Sequence, residues 1–345
     1  MRLRNPSPTL PCKQGRERVR REREEWVRHR TLRVIAAAVF ALLLLAAALL
    51  WHNPYALISG DFTRQRIAAG LSKASVQIGE DRWVYAYNDD APRNAPTIVM
   101  LHGFTGSKEN WFPVARLLRD RYRVIVPDLP GWGESNRVEG ADYGFLAQAG
   151  RVARFIDAVS PNESVVLLGH SMGGGVAALV AAQHPDRVAR VGLIDAAGVR
   201  FHDNRFGVDV LAGKNPFAVH DEASLKRYLD TVFFDDAAKP TIPWPADRIY
   251  IERRKQDAAF EQAVLDRIGR GAERFLPGEN AAHIRQPALL LWCRQDAVID
   301  ASALDLYAQR MPQARRVLLD GCGHMSILEK PDAVAQAVTG LIEAK

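Results

Sequence analysis

Ser171 stands in the run Gly169-His170-Ser171-Met172-Gly173, and two glycines at this spacing about a serine suit a nucleophile set on a sharp turn. The residues before it, Val165 to Leu168, are continuously apolar, as in a buried parallel strand, and the Ala-rich stretch from Met172 reads as a helix. The serine therefore falls between strand and helix. There the glycines let the two elements approach, and the serine takes a strained backbone conformation that exposes its hydroxyl. The competing reading is a Gly-rich turn with an incidental serine, and the strand before and helix after argue against it. A hydroxyl is a weak nucleophile at neutral pH, so the motif requires a general base, an acid to orient that base, and donors for a developing oxyanion.

The elements that could supply these parts can be read in order. Lys73 to Ile78 and Arg82 to Asn88 alternate as an opening hairpin turning at Gly79-Glu80-Asp81. Thr97 to Leu101 is a buried strand running into His102-Gly103-Phe104-Thr105-Gly106-Ser107. The tight backbone at Gly103 makes the amide of Phe104, with that of Met172, the candidate oxyanion hole. His102, at a strand end beside this loop, is expected to orient neighbours with its ring and not to transfer protons. Tyr122 to Val126 is a further strand, followed by the turn residues Pro127-Asp128-Leu129-Pro130-Gly131-Trp132-Gly133-Glu134-Ser135.

Together, His102-Gly103-Phe104, Asp128 to Ser135 and Gly169 to Gly174 resemble the α/β-hydrolase superfamily, and within it the membrane-anchored bacterial lipases and esterases and the monoacylglycerol lipases. The resemblance runs over about residues 73 to 343. It implies an α/β fold with a mostly parallel, doubly wound sheet, a catalytic Ser-Asp-His triad, an ester or lipid substrate and no cofactor. Regular alternation fails from Ala196 to about Ala282, which the resemblance makes a helical cap at about 197–282. Phe201, Phe206, Phe217, Phe233, Phe234 and Trp244 would give that cap an apolar lining for an acyl chain. The acid should follow the strand Pro287 to Cys293, which points to Asp296. Asp300 occupies a position where family members often carry Pro, so a second carboxylate remains open for that role. His324, in Asp320-Gly321-Cys322-Gly323-His324 after the strand Arg316 to Leu319, has no periodicity to bury it and is the candidate base. The other histidines show no metal-ligand spacing, and no metal is expected.

Ser171 excludes the hydrolase chemistries that need an Asp nucleophile. A carbon–carbon bond hydrolase of the ring-cleavage type would use the same triad and is the nearest rival. A non-catalytic ligand-binding protein on the same scaffold is the rival of another class.

Net charge is +6, but residues 1–33 carry eleven Arg and Lys against four Glu, and the remaining residues hold 35 basic and 36 acidic side chains. The globular part therefore offers no basic stripe for nucleic acid. The tail has opposite charges four residues apart, as in a solvated helix. Val34 to Trp51 contains eighteen residues without charge or Pro. As a helix it spans about 27 Å, close to the ~30 Å hydrocarbon core of a bilayer. It has no polar face and no small-x-small cleavage site after it, which favours an uncleaved anchor over a core helix or a signal peptide. The Arg cluster before the segment, against only Arg64 and Arg66 soon after it, places the N-terminus in the cytoplasm and the catalytic domain outside, at a bacterial inner membrane facing the periplasm. The expected organisation is a basic tail (1–33), a transmembrane anchor (34–51), a linker (52–72) and a hydrolase domain (73–345). Cys293 and Cys322 end up near the same sheet rim, but few such pairs reach bridging distance, and the expectation is two separate thiols.

Overall fold

The apolar runs become one eight-stranded sheet in this computed structural model, which describes residues 13–344. In chain order the strands are β1 (Ser72–Ile78), β2 (Asp81–Tyr87), β3 (Thr97–Leu101), β4 (Arg123–Pro127), β5 (Val165–His170), β6 (Val188–Ile194), β7 (Ala288–Cys293) and β8 (Arg315–Leu319). Their spatial order is β1-β2-β4-β3-β5-β6-β7-β8. The expected hairpin forms at one edge, where β1, β2 and β4 pair antiparallel, and all remaining pairs are parallel. The central strands β3, β5 and β7 are buried at every residue, which is why they read as continuous apolar runs. The edge strand β1 alternates between half-buried and exposed residues.

The helices are α1 (Lys13–His52), α2 (Ala56–Ala68), α3 (Phe112–Leu118), α4 (Phe145–Val159), α5 (Met172–Gln183), α6 (Arg205–Leu211), α7 (Glu222–Val232), α8 (Ala246–Leu265), α9 (Leu276–Asn280), α10 (Ser302–Arg310), α11 (Ser326–Glu329) and α12 (Pro331–Glu343). Alternate residues of β3 face opposite layers. Val99 and Leu101 join a core with Val152 and Phe155 of α4 and Val176 and Leu179 of α5. Ile98 and Met100 join a second core with Val114 and Leu118 of α3 and Val334 and Val338 of α12. The sheet is thus wound on both faces.

Between β6 and β7 lie helices α6 to α9, an insertion between two neighbouring strands of the sheet. Part of it has its own small core of Val219, Leu225 and Ile251. Arg254 of α8 is buried there, bonded to Glu261 at 2.9 Å and to the Phe217 carbonyl at 2.8 Å. Its charge is compensated, as a buried guanidinium requires.

The chain divides into two units after Leu57. In the first, α1 carries both the charged run and the apolar run, and it is long and apolar enough to cross a membrane. Arg18–Glu22, Arg20–Glu24 and Glu17–Arg21 pair along its exposed face. The N-terminal part of the basic tail, residues 1–12 with Cys12, lies outside the described residues. The stretch 52–72, read as a linker, contains α2 and the first residue of β1.

One expectation is corrected: Cys293 and Cys322 form a disulfide, with their Cα atoms 5.4 Å apart. Cys293 is opposite Leu319 in the β7–β8 ladder, and the chain turns back at Gly321 (φ +70°), returning Cys322 to its neighbour. The bridge closes a loop of 29 residues. On chain entropy such a loop stabilises by about 3–4 kcal/mol. A Cys293→Ala/Cys322→Ala double variant should therefore melt roughly 5–15 °C lower in calorimetry; an unchanged melting temperature would show that the bridge contributes nothing to stability.

Candidate active site

Ser171 joins the end of β5 to α5 with φ +55° and ψ −121°, a conformation that L-residues adopt only under constraint. Packing supplies the constraint. A Cβ on Gly169 would overlap the Gly173 carbonyl, so strand and helix touch through their backbones. The Ser171 carbonyl accepts from the amides of Gly174 and Ala197 at 2.9 and 3.0 Å, and its own amide donates to Ile194 at 3.0 Å. A Cβ on Gly103 would lie 2.9 Å from the Ser171 Cβ, which brings the loop after β3 directly against the serine. Phe104 and Met172 both line the cavity beside Ser171. Neither amide has a protein acceptor among the described residues.

His324 and Asp296 complete a hydrogen-bonded row. His324 Nε2 is 2.9 Å from Ser171 Oγ, and Nδ1 is 2.8 Å from Asp296 Oδ2. A carboxylate only accepts, so Nδ1 carries the proton and Nε2 is free to accept from the serine. The other oxygen of Asp296 accepts from the amides of Val298 and Ile299 at 2.8 and 2.9 Å. Asp300, left open as the orienting acid, instead accepts from the Ser302 amide at 2.9 Å and is not bonded to His324. All three members of the row are buried.

Four further polar groups hold the row and the loops around it, and of these the sequence reading assigned a role only to His102. His170, the residue before the serine, donates Nε2–H to the His324 carbonyl at 2.7 Å. Its place inside the glycine–serine motif was its only signal. Asp195, at the end of β6 with φ +46°, accepts from the Cys293 amide at 2.9 Å and from the Ser326 hydroxyl. Burial, then the charge of Asp296, raises its carboxyl well above the ordinary range. Lys108 is buried and donates to Asp128 and Glu134, each at 2.8 Å, tying the loop after β3 to the loop after β4. His102 supports the same junction, as expected of an orienting ring. Its Nε2 accepts from the Leu129 amide at 3.0 Å, so Nδ1 carries the proton and donates to the Gly103 carbonyl at 2.8 Å.

The row opens on a cavity of about 290 Å³ beneath the insertion. Phe201, Phe206 and Phe217 line it as expected, together with Phe104, Phe275 and Ile268. Phe233 is buried without lining it, and Phe234 and Trp244 are exposed. Among the described residues no group of three His, Cys, Asp or Glu is placed to hold a metal.

Comparison with known proteins bears on the fold and the class of enzyme. The family model described as alpha/beta hydrolase fold matches residues 96–331. Monoacylglycerol lipase ABHD6 of Rattus norvegicus is 26% identical over 321 residues, covering 90% of this chain and 94% of its own. Lipase 1 of Psychrobacter immobilis is 27% identical over 271 residues, covering 77% and 83%. A solved membrane phospholipase A, described as a bacterial virulence factor, matches with a TM-score of 0.79 at 33% identity, over 90% of this chain and 99% of that one. The chain belongs to the alpha/beta hydrolase fold family, as a carboxylic ester hydrolase of the lipase and esterase kind.

Burial holds the imidazole of His324 below its ordinary pKa and outweighs the nearby Glu329 charge, which works the other way. Burial also lowers His102 to about 4 and His170 to about 3. All three rings are neutral in the folded protein down to acid pH, whereas the unfolded chain binds protons on them near pH 6.5. The folded state therefore loses stability as pH falls through 6.5 toward 4, while the base form of His324 persists. Initial rates of ester hydrolysis at about pH 5.5 should stay close to those at neutral pH, although the melting temperature drops. An acid limb centred near pH 6.5–7 would show that His324 is solvated during turnover.

Proposed function

We propose that the protein hydrolyses lipid carboxylic esters, acylglycerols among them, through an acyl-enzyme on Ser171. The observation that carries this reading is the hydrogen-bonded row from Ser171 through His324 to Asp296 at the mouth of an apolar cavity. As Ser171 Oγ bonds to the ester carbonyl carbon, its proton passes to His324 Nε2, and the imidazolium stays paired with Asp296 through Nδ1–H. The carbonyl oxygen gains the negative charge and meets the amides of Phe104 and Met172. When the carbon–oxygen bond to the alcohol breaks, the leaving alkoxide takes the proton from Nε2. Water then attacks the acyl carbon, gives its proton to Nε2, and the acid leaves as Ser171 Oγ recovers that proton.

The aromatic and aliphatic lining supports an acyl-chain substrate, since each buried methylene adds roughly 0.8 kcal/mol of binding. Likeness to monoacylglycerol lipases and to a membrane phospholipase A supports the same substrate class. The apolar part of α1, residues 34–51, acts as an uncleaved anchor, with the basic tail in the cytoplasm and the catalytic domain on the far side. The Cys293–Cys322 disulfide fits an oxidising compartment such as the periplasm.

Two experiments test these assignments. Ser171→Ala and His324→Ala should each lower kcat by roughly three decades or more, and Asp296→Asn should lose far more than Asp300→Asn. In the same assays wild type should prefer p-nitrophenyl octanoate to the acetate in kcat/KM, because chain binding also positions the carbonyl. Near-wild-type turnover in either alanine variant removes the triad, and a preference for acetate removes the lipid substrate. For topology, a reporter active only outside the cytoplasm should work when fused after Lys345, and a mature protein starting near residue 52 would show a cleaved signal instead.

A further inference from the structure

Glu329, the last residue of α11, is buried, and its carboxylate is bonded to three backbone amides. Oε1 accepts from Gly323 at 2.8 Å, and Oε2 accepts from Phe234 at 2.9 Å and from Asp235 at 2.8 Å. Gly323 immediately precedes His324. Phe234 and Asp235 belong to the segment that leaves the C-terminal end of α7, inside the helical insertion. The two segments meet a second time, because the Met325 amide donates to the Val232 carbonyl at 3.0 Å. Nothing larger than glycine fits between them: a Cβ on Gly323 would lie 2.8 Å from the Phe234 nitrogen.

His324 is therefore flanked by two residues that are both fastened to the end of α7, one through Glu329 and one directly. Hydrogen bonds to a carboxylate are about twice as strong as neutral ones. A buried carboxylate stripped of two of its three donors is costly, so the contact favours either a fully seated or a fully released segment.

We propose that Glu329 is a positioning residue that couples the seat of α7 to His324, so that the imidazole is held in line with Ser171 only while the Val232–Asp235 segment is docked. This inference rests on His324 being the base. Release of that segment frees Gly323 and Met325 together and lets the ring drift from the serine. Docking of the insertion over a bound substrate thereby becomes a condition for proton transfer. The charged and titratable groups about the ring are Asp296, His170, Asp195 and Glu329, and the Glu329 carboxylate favours the imidazolium that forms as the serine attacks.

The test uses the full-length protein and p-nitrophenyl octanoate. Glu329→Gln keeps the size of the side chain, removes its charge and turns one acceptor into a donor. It should lower kcat by roughly 10- to 100-fold with little change in KM. It should also move the acid limb of the rate profile to lower pH, because the imidazolium loses a stabilising charge. Asp235→Pro removes one amide donor from the insertion side, at a position whose φ of −83° admits proline. It should reproduce the loss in kcat and slow fluorophosphonate labelling of Ser171, whereas Asp235→Asn, which keeps the amide, should match wild type. Wild-type kcat and pH profile in Glu329→Gln, beside an inactive His324→Ala, would overturn the coupling alone. Activity in His324→Ala would overturn the base assignment and the coupling with it. If Glu329→Gln fails to fold, the two Asp235 variants decide, and equal losses in both overturn the proposal.

Discussion

The imidazole of His324 has to sit between a carboxylate and a hydroxyl in a site almost closed to water, and most of the buried polar structure nearby meets that one constraint. The loop carrying it, between β8 and α11, has no strand or helix ladder of its own. It is held by four contacts: the ring of His170 at the end of β5, the disulfide to the end of β7, the Ser326 contact with Asp195 at the end of β6, and Glu329 of α11, which binds both Gly323 and the insertion's Phe234 and Asp235. In a medium of low dielectric each such bond is strong, and each unmade one is expensive, so the set tolerates few alternative arrangements.

The serine side meets a different constraint. A non-glycine residue at φ +55° costs on the order of 1–3 kcal/mol and persists only where its surroundings over-determine it. Here the direct backbone contact of β5 with α5 and the hydrogen bonds made by the Ser171 amide and carbonyl do so. The loop after β3 closes on the serine through Gly103. His102 and Lys108 then tie that loop to the one after β4, so the amide of Phe104 is placed by two buried polar junctions and not by its own loop alone.

Apolar surface is distributed with equal economy. The sheet consumes most of it in two cores, one per face, and the insertion spends its aromatics partly on itself and partly on the cavity. Phe206 and Phe217 do both, being buried against the core while presenting surface to the cavity. In the N-terminal unit, α1 carries a long run of exposed apolar residues, long and apolar enough to cross a membrane.

The strands, the turn at Ser171, the loop at Gly103 and the apolar segment of α1 were all legible in the sequence. Each is written in residues that are near neighbours along the chain, through periodicity, turn chemistry or the lack of charge. The three members of the hydrogen-bonded row were legible for a second reason, since the family motifs assign them to strand ends. What neighbouring residues could not show was which strand ends meet. The disulfide, the pairing of Asp195 with Ser326, the support of His324 by His170, and the bond from Glu329 to the insertion join residues between 29 and 154 positions apart, or run across the insertion. Asp296 could be separated from Asp300 only by the loop geometry that brings one carboxylate to His324. The same holds for the cavity wall, where Phe206 and Phe217 face inward while Phe234 and Trp244 do not, because the direction of a side chain in an irregular segment follows from packing. Local chemistry determined which residues could react, and the order of strands in the sheet decided which of them touch.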